Sequence, residues 1–280
     1  MSISNLKDNA LLVSLSVRKP QLTKKDYKAT ADAEIANNAH GAGKYVKDLY
    51  PKHLIDPITQ VEAEARAYMY SRSVPWQGTT HMLPSIDYIP FALQMGKFTR
   101  AFDQSVTAFL SNYASALTAA QSMQGNMFNA SEYPDLSELK GQFSLCVRYF
   151  PVSDHNDFRL KVSDTTLAEL KASAEAQVRE TMAEAALVPY QRLLTAVERV
   201  HVQCAKPSGK IYDTLMDNLS ELVDILPALN FTGDQRLADL IDECKLKLVR
   251  NPNMLRVDPD AKQDTADEAK RIMDRMKAFL

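Results

Sequence analysis

The sequence predicts an α+β fold that is predominantly α: an elongated bundle of long helices carrying a small antiparallel sheet, with strands near 11–17, 143–150 and 158–162. Three observations predict it. Apolar residues recur at helical spacing through residues 56–124 and 164–280, the helical body. Glycine is scarce, at 8 residues, and methionine plentiful, at 11, a mix that favours helices. Only three short segments alternate apolar with polar residues, the two-residue period of a half-buried strand.

The first alternation places Val13, Leu15 and Val17 on one face and Ser14 and Ser16 on the other, so the chain opens with a strand. Residues 18–54 follow as a basic, less regular segment, a helix fragment plus loop, with Lys24, Lys25 and Lys28 and a loop-like run from Asn37 to Gly43. Asp56 is expected to cap a helix whose first position is Pro57, with Ile58, Val61, Ala65 and Tyr68 at helical spacing behind it. Val74-Pro75-Trp76-Gln77-Gly78 ends that helix in a turn, and Leu83-Pro84-Ser85 starts the next. From about Asp87 to Met123 a single long helix is predicted, its stripe running through Phe91, Met95, Phe98, Phe102, Val106, Phe109, Tyr113, Leu117 and Ala120. Such an aromatic stripe packs against a second helix.

Phe143–Phe150 and Phe158–Val162 both alternate around the turn-rich Ser153–Asp157, so residues 142–162 read as a β-hairpin. Two strands alone are only marginally stable, so the N-terminal strand is expected to join them. Ser163 or Asp164 caps a helix that reaches Ala205 and should kink at Pro189. After the Lys206-Pro207-Ser208-Gly209 break come helices over Ile211–Leu226 and Leu237–Val249, the latter stopped by Asn251-Pro252. Thr265 and Glu268 form a capping box for a last helix, whose Ile272, Met273, Met276 and Phe279 make an apolar edge that must bury in this chain or in a neighbour. Helices near 40 residues span about 60 Å, longer than a compact domain of this size needs, so an elongated bundle or a homo-oligomer is expected. With no interdomain linker or internal repeat, residues 1–280 are expected to form a single cooperative unit.

The residues offer little chemistry. There is no Gly-rich phosphate loop, nucleophile elbow, His-Glu-x-x-His or dinucleotide fingerprint, so no catalytic residue and no cofactor is assigned and the chain is read as a non-enzyme. No metal site is expected either. Cys146, Cys204 and Cys244 lack metal or disulfide spacing and read as buried thiols. Asp154-His155-Asn156-Asp157 has the composition of a hairpin turn, and Asp258, Asp260 and Asp264 lack the glycine and glutamate that close a calcium loop, which leaves loop and helix capping. No run approaches the roughly 18 apolar residues of a membrane span, and the first residues lack the build of a signal peptide, so a cytoplasmic location is expected.

Charge is uneven: residues 18–53 carry +4 and residues 54–280 carry −6, for a net −2. Arg18, Lys19, Lys24, Lys25, Lys28, Lys44 and Lys47 are therefore the candidate nucleic-acid contacts, set against a solvated basic loop. The candidate protein interface is Trp76, a core plug or an exposed anchor in its proline-bounded turn, with Met273, Met276 and Phe279 of the C-terminal edge.

The order of these features carries a resemblance. The opening strand, the Lys-rich segment ending in His40-Gly41-Ala42-Gly43-Lys44-Tyr45, the Val74-Pro75-Trp76 turn and Met82-Leu83-Pro84 with Asp87-Tyr88 come first. The aromatic helix, Asn126-Met127-Phe128-Asn129-Ala130-Ser131-Glu132-Tyr133-Pro134 and Phe150-Pro151-Val152 follow. Together, over nearly the whole chain, they resemble a family of uncharacterised proteins of tailed bacteriophages and prophages. The resemblance implies gene neighbours encoding a MoxR-type ATPase of the AAA+ class and a von Willebrand A-domain protein, and hence a phage accessory or adaptor protein in the host bacterial cytoplasm. The basic segment implies a DNA-associated factor in phage replication, recombination or genome protection as the alternative. An inhibitor of a host defence protein is the third reading.

Overall fold

The structure, a computed structural model, describes residues 8–152, 163–206 and 209–278. Helices account for 69% of it and strands are confined to a four-stranded and a two-stranded antiparallel sheet, so the fold is α+β and predominantly α. The larger sheet has the order β4-β5-β1-β6, built from β1 (Ala10–Arg18), β4 (Val74–Pro75), β5 (Thr80–Pro84) and β6 (Ser144–Pro151). The opening strand thus lies beside β6, as the alternation predicts. The expected second hairpin strand at 158–162, its turn at 153–157 and Phe279 lie outside the described residues.

Where the turn around Trp76 was expected to lead straight into a helix, the chain forms a hairpin. Val74 pairs with Met82 and Pro75 with His81, and the Trp76 amide donates to the Thr80 carbonyl at 2.9 Å. Gly78 makes the reversal at φ 57°, a conformation that side chains with a Cβ rarely adopt. Pro75 and Pro84 are tolerated because each stands at the end of a short strand.

The chain packs as two compact units, although the sequence, lacking a linker, reads as one. The boundaries fall inside β1 and β6 and at helix ends, so no loop-rich segment marks them. One unit, here the aromatic unit, comprises Ser14–Ser71 and Pro90–Arg148. The other, here the C-terminal unit, comprises the described residues of Met1–Val13, Arg72–Ile89 and Tyr149–Leu280.

In the aromatic unit, α2 (Lys52–Arg72) starts earlier than Asp56. The chain enters the helix at Pro51, whose carbonyl accepts the Leu54 amide at 3.0 Å, and Pro57 lies inside. The long helix expected over 87–123 is two, α3 (Tyr88–Ser111) and α4 (Tyr113–Gln124), and the short α5 (Leu136–Lys140) follows. Between them Asn112 sits at φ −107°, ψ 17°, and its side-chain amide donates to the Ala108 carbonyl at 2.9 Å, competing with the backbone ladder. The apolar stripe nonetheless continues across the break. Phe109 and Tyr113 both pack on Tyr50, with ring centroids 5.3 and 6.2 Å apart, and Tyr68 stacks on Phe91 at 5.6 Å.

The C-terminal unit contains α6 (Asp164–Ala205), α7 (Asp213–Leu229), α8 (Gln235–Lys247), α9 (Pro252–Val257) and α10 (Pro259–Lys277). The long helix α6 has the predicted bounds, and Ser163 caps it by accepting the Thr166 amide. It runs through Pro189 without ending. Its leading part differs from its trailing part: from Thr165 to Glu180 no residue is buried, whereas Ala185, Leu193, Val197, Val200 and Cys204 are core. That core is completed by Leu219, Val223 and Leu226 of α7, Leu240, Ile241 and Cys244 of α8, and Ala266, Ala269, Ile272 and Met276 of α10. Ala266 and Ala269 are small enough to let α10 lie close along α6, where His201 Nδ1 and the Ala266 carbonyl are 2.9 Å apart.

The last helix does not start at a Thr265 capping box. Asp258 caps it by accepting the Asp260 and Ala261 amides, with Pro259 at the first position, and Thr265 is a buried interior residue bonded to the Ala261 carbonyl at 2.8 Å. Of the three aspartates of this stretch, Asp258 is the cap and Asp260 lies in the first turn. Likewise Asn251-Pro252, expected only to stop a helix, caps and opens the short α9.

Candidate functional site

The basic segment is ordered. β2 (Thr23–Asp26) and β3 (Tyr45–Asp48) form the two-stranded sheet, with Lys24 opposite Lys47 and Asp26 opposite Tyr45, and α1 (Tyr27–Ala36) connects them. Asp26 caps α1 by accepting the Ala29 amide at 2.9 Å, and that bond, aided by Lys47, holds its carboxyl below the usual carboxylate range although partial burial acts against it. Asn38 at φ 48° and Gly41 at φ 66° turn the chain back. The loop is tied to α1 by the Gly41 amide donating to Glu34 Oε1 at 2.9 Å and the Tyr45 amide donating to Thr30 Oγ1 at 3.0 Å.

The base of this arm is clamped by the Met127–Pro134 stretch. Lys47, with its side chain only 4% exposed, donates to the Met127 carbonyl at 2.5 Å and lies 2.8 Å from Glu132 and 3.5 Å from Asp26. Burial opposes its charge, but Glu132 and Asp26 more than offset this and raise Lys47 above the ordinary lysine range. The Tyr133 hydroxyl donates to the Leu49 carbonyl and receives the Gln124 amide, each at 2.8 Å, while Gln124 also reaches the Asp48 carbonyl at 2.7 Å. Phe128 stacks on Tyr133 at 5.1 Å. The sequence marks this stretch as distinctive without saying what it holds.

The seven candidate nucleic-acid residues therefore divide. Lys19 pairs with Glu62, Lys24 lies 3.6 Å from Glu132, Lys47 is buried, and Arg18 donates to Ser144 Oγ at 3.0 Å. These four serve the fold. Lys25, Lys28 and Lys44 are exposed, with Lys25 lying 4.6 Å over the Tyr27 ring. A groove of about 610 Å³ runs between α1 and the loop, lined by Lys25, Tyr27, Thr30, Glu34, Gly41 and Lys44.

The arm also exposes apolar surface. No residue of α1 is buried; Tyr27 is 74% exposed and Ile35 76%, and Tyr45 and Val46 of β3 are exposed as well. Tyr27, Ala31 and Ile35 are spaced four residues apart, so they form one ridge.

The candidate interface at the chain's C-terminal edge is core instead. Met276 is fully buried and Met273 packs half-buried against the same cluster, because α10 turns that face onto α6. Trp76 is likewise half-buried against that cluster, the plug rather than the anchor. Of the cysteines, Cys204 and Cys244 are buried and burial pushes the Cys244 thiol up to about 12; Cys146 is only half-buried, contrary to expectation.

Two other places bear on chemistry. Ser73 Oγ and His81 Nδ1 are 3.1 Å apart, but both are buried and Arg192 donates to the Ser73 carbonyl at 2.7 Å, so the pair pins the β4–β5 hairpin rather than facing a substrate. Burial, then Arg192, lowers the His81 pKa. Because an unfolded histidine binds a proton near pH 6.5 more readily than His81 does, the stability His81 permits is full above that pH and is lost as pH falls from there through the lower folded value. Urea midpoints for the parent should decline between pH 7 and 5, and His81→Asn should flatten that decline. The second place is a cleft of about 390 Å³ lined by His53, Pro57, Gln104, Ser105 and Asn112, with His53 its sole titratable group. Among the described residues no group of three or more metal-capable side chains assembles, and no helix is long and apolar enough to cross a membrane. No family model, curated protein or solved structure matches the chain.

Proposed function

We propose that this chain is a phage-encoded, non-enzymatic accessory protein that acts by protein–protein contact in the host bacterial cytoplasm, as an adaptor. One observation carries the reading: α1 is a whole helix with no buried residue, held on a base that is fixed by buried bonds. A ten-residue helix is marginal in isolation, and a ridge of Tyr27, Ala31 and Ile35 turned to solvent contributes nothing to the fold that carries it. A partner surface would give it a use. The phage setting and the class of partner, a MoxR-type ATPase or a von Willebrand A-domain protein, rest on the resemblance of the Pro-Trp turn and the Asn126–Pro134 stretch to the phage family. The unburied leading part of α6 offers a second helical surface of the same kind.

The reading is tested by capturing tagged protein from phage-infected cells after nuclease treatment. An ATPase or another protein that stays bound, and is lost when Tyr27 and Ile35 are changed to serine, is the expected result. Recovery of nucleic acid alone would replace it with the second reading, which Tyr27, Tyr45, Lys25, Lys28 and Lys44 favour by placing aromatic rings among exposed lysines. With three exposed lysines, that binding would weaken with salt at a log–log slope of only about −2 to −3.

A further inference from the structure

We infer that the partner of the α1 ridge is a second copy of the same chain, paired antiparallel through α1 across a two-fold axis at Ala31. This rests on the adaptor reading and names the first contact such a protein makes. On a helical projection Tyr27 and Ile35 lie about 40° to either side of Ala31, so the three share one face with the smallest residue at its centre. A small central residue lets two helices approach closely. In an antiparallel pair centred there, Tyr27 of each copy lies level with Ile35 of the other, an aromatic ring against a branched aliphatic on both sides of the axis.

The charges select the occupant. Lys28 and Asp32 are exposed and lie about 60° and 100° round from Ala31 on the same flank. Reversing one helix about Ala31 places Lys28 of one copy within about 3 Å, measured along the axis, of Asp32 of the other, and the symmetry makes that pair twice. Along that flank a uniformly acidic or basic partner would meet one like charge, at Lys28 or Asp32, for each opposite one. The free flank of α1 is complementary to its own reverse. The opposite flank is occupied within the arm, by the Glu34 bond to Gly41 and the Thr30 bond to Tyr45. A helix of this length spans about 15 Å, short of what a standard interface of about 800 Å² per partner requires, so the pairing is weak and concentration-dependent.

The test is the mass of the full chain by sedimentation and light scattering, from low micromolar to about 1 mM. The expected result is a reversible rise from 31.3 kDa toward twice that mass, absent in Ala31→Arg. Lys28→Glu and Asp32→Lys should each weaken association about tenfold, and the double variant should restore it. Helical content should be unchanged throughout, because α1 contributes no buried residue. A parent that stays at 31.3 kDa, a dimer indifferent to Ala31→Arg, or a double variant no better than the singles would each overturn the pairing. A foreign protein captured by a monomeric parent would overturn the pairing and leave the adaptor reading standing. A dimer sensitive to Ala31→Arg with no other protein captured would do the reverse.

Discussion

Met276→Asp is expected to unfold the C-terminal unit. The Met276 side chain is fully buried on the face of α10 that meets α6, in one cluster with Ile272, Ala269 and Val200. Removing a buried methionine costs about 2–5 kcal/mol, and leaving an unpaired carboxylate in its place adds several more. That sum approaches the whole stability of an ordinary domain, about 5–15 kcal/mol. Circular dichroism at 25 °C should show a large loss of helix for Met276→Asp and almost none for Met276→Leu, which conserves volume. A well-folded aspartate variant would mean that the face is a surface after all.

The second large effect is expected at Lys47→Ala. The substitution leaves Glu132 and Asp26 without the ammonium that lies between them, and the Met127 carbonyl without its donor. Leaving the Glu132 carboxylate, 9% exposed, and the Met127 carbonyl without their donor costs about 1–3 kcal/mol. Urea unfolding followed by near-ultraviolet circular dichroism, to which packed rings such as Tyr50, Tyr113 and Tyr133 contribute, should show the loss. The pH dependence has a definite sign. Lys47 is raised above its unfolded value of 10.5, so its contribution is whole below that pH and disappears as pH climbs through the higher folded value. The gap between parent and variant should therefore be full near neutrality and close in strong alkali. An equal gap at every pH would show that lost packing, and not charge, is the cause.

These two sites show what the sequence makes legible. The face of α10 is visible as a periodic edge, and so is its need for burial; that α6 provides the cover depends on residues some 70 positions away, beyond any local pattern. Helix α6 was legible to its ends because both carry local signals, a serine cap at Ser163 and the Lys206–Gly209 break. The break at Asn112 was not, since the stripe from Phe91 to Ala120 keeps its period across it and one side-chain amide decides the geometry. Hairpin β4–β5 was masked by Pro75 and Pro84, which read as turn residues until their strand-end places are known. At the arm, the positive charges are plain in the sequence. Their neutralisation is not, because Glu62 and Glu132 come from distant segments. Strands of four residues with two lysines in the middle of β2 give no periodic signal.

The discontinuity of the two units sets an order of events during synthesis. The aromatic unit has all its residues once Arg148 has left the ribosome. The C-terminal unit already holds Ala10, Val74 and Met82 by then, yet the surface that covers them arrives only with α6 to α10. At translation rates of roughly 5–20 residues per second, the remaining stretch of about 130 residues takes on the order of 10 s. For that interval the early strands of the C-terminal unit have their own core not yet made, which is the stage at which a nascent chain depends on chaperones.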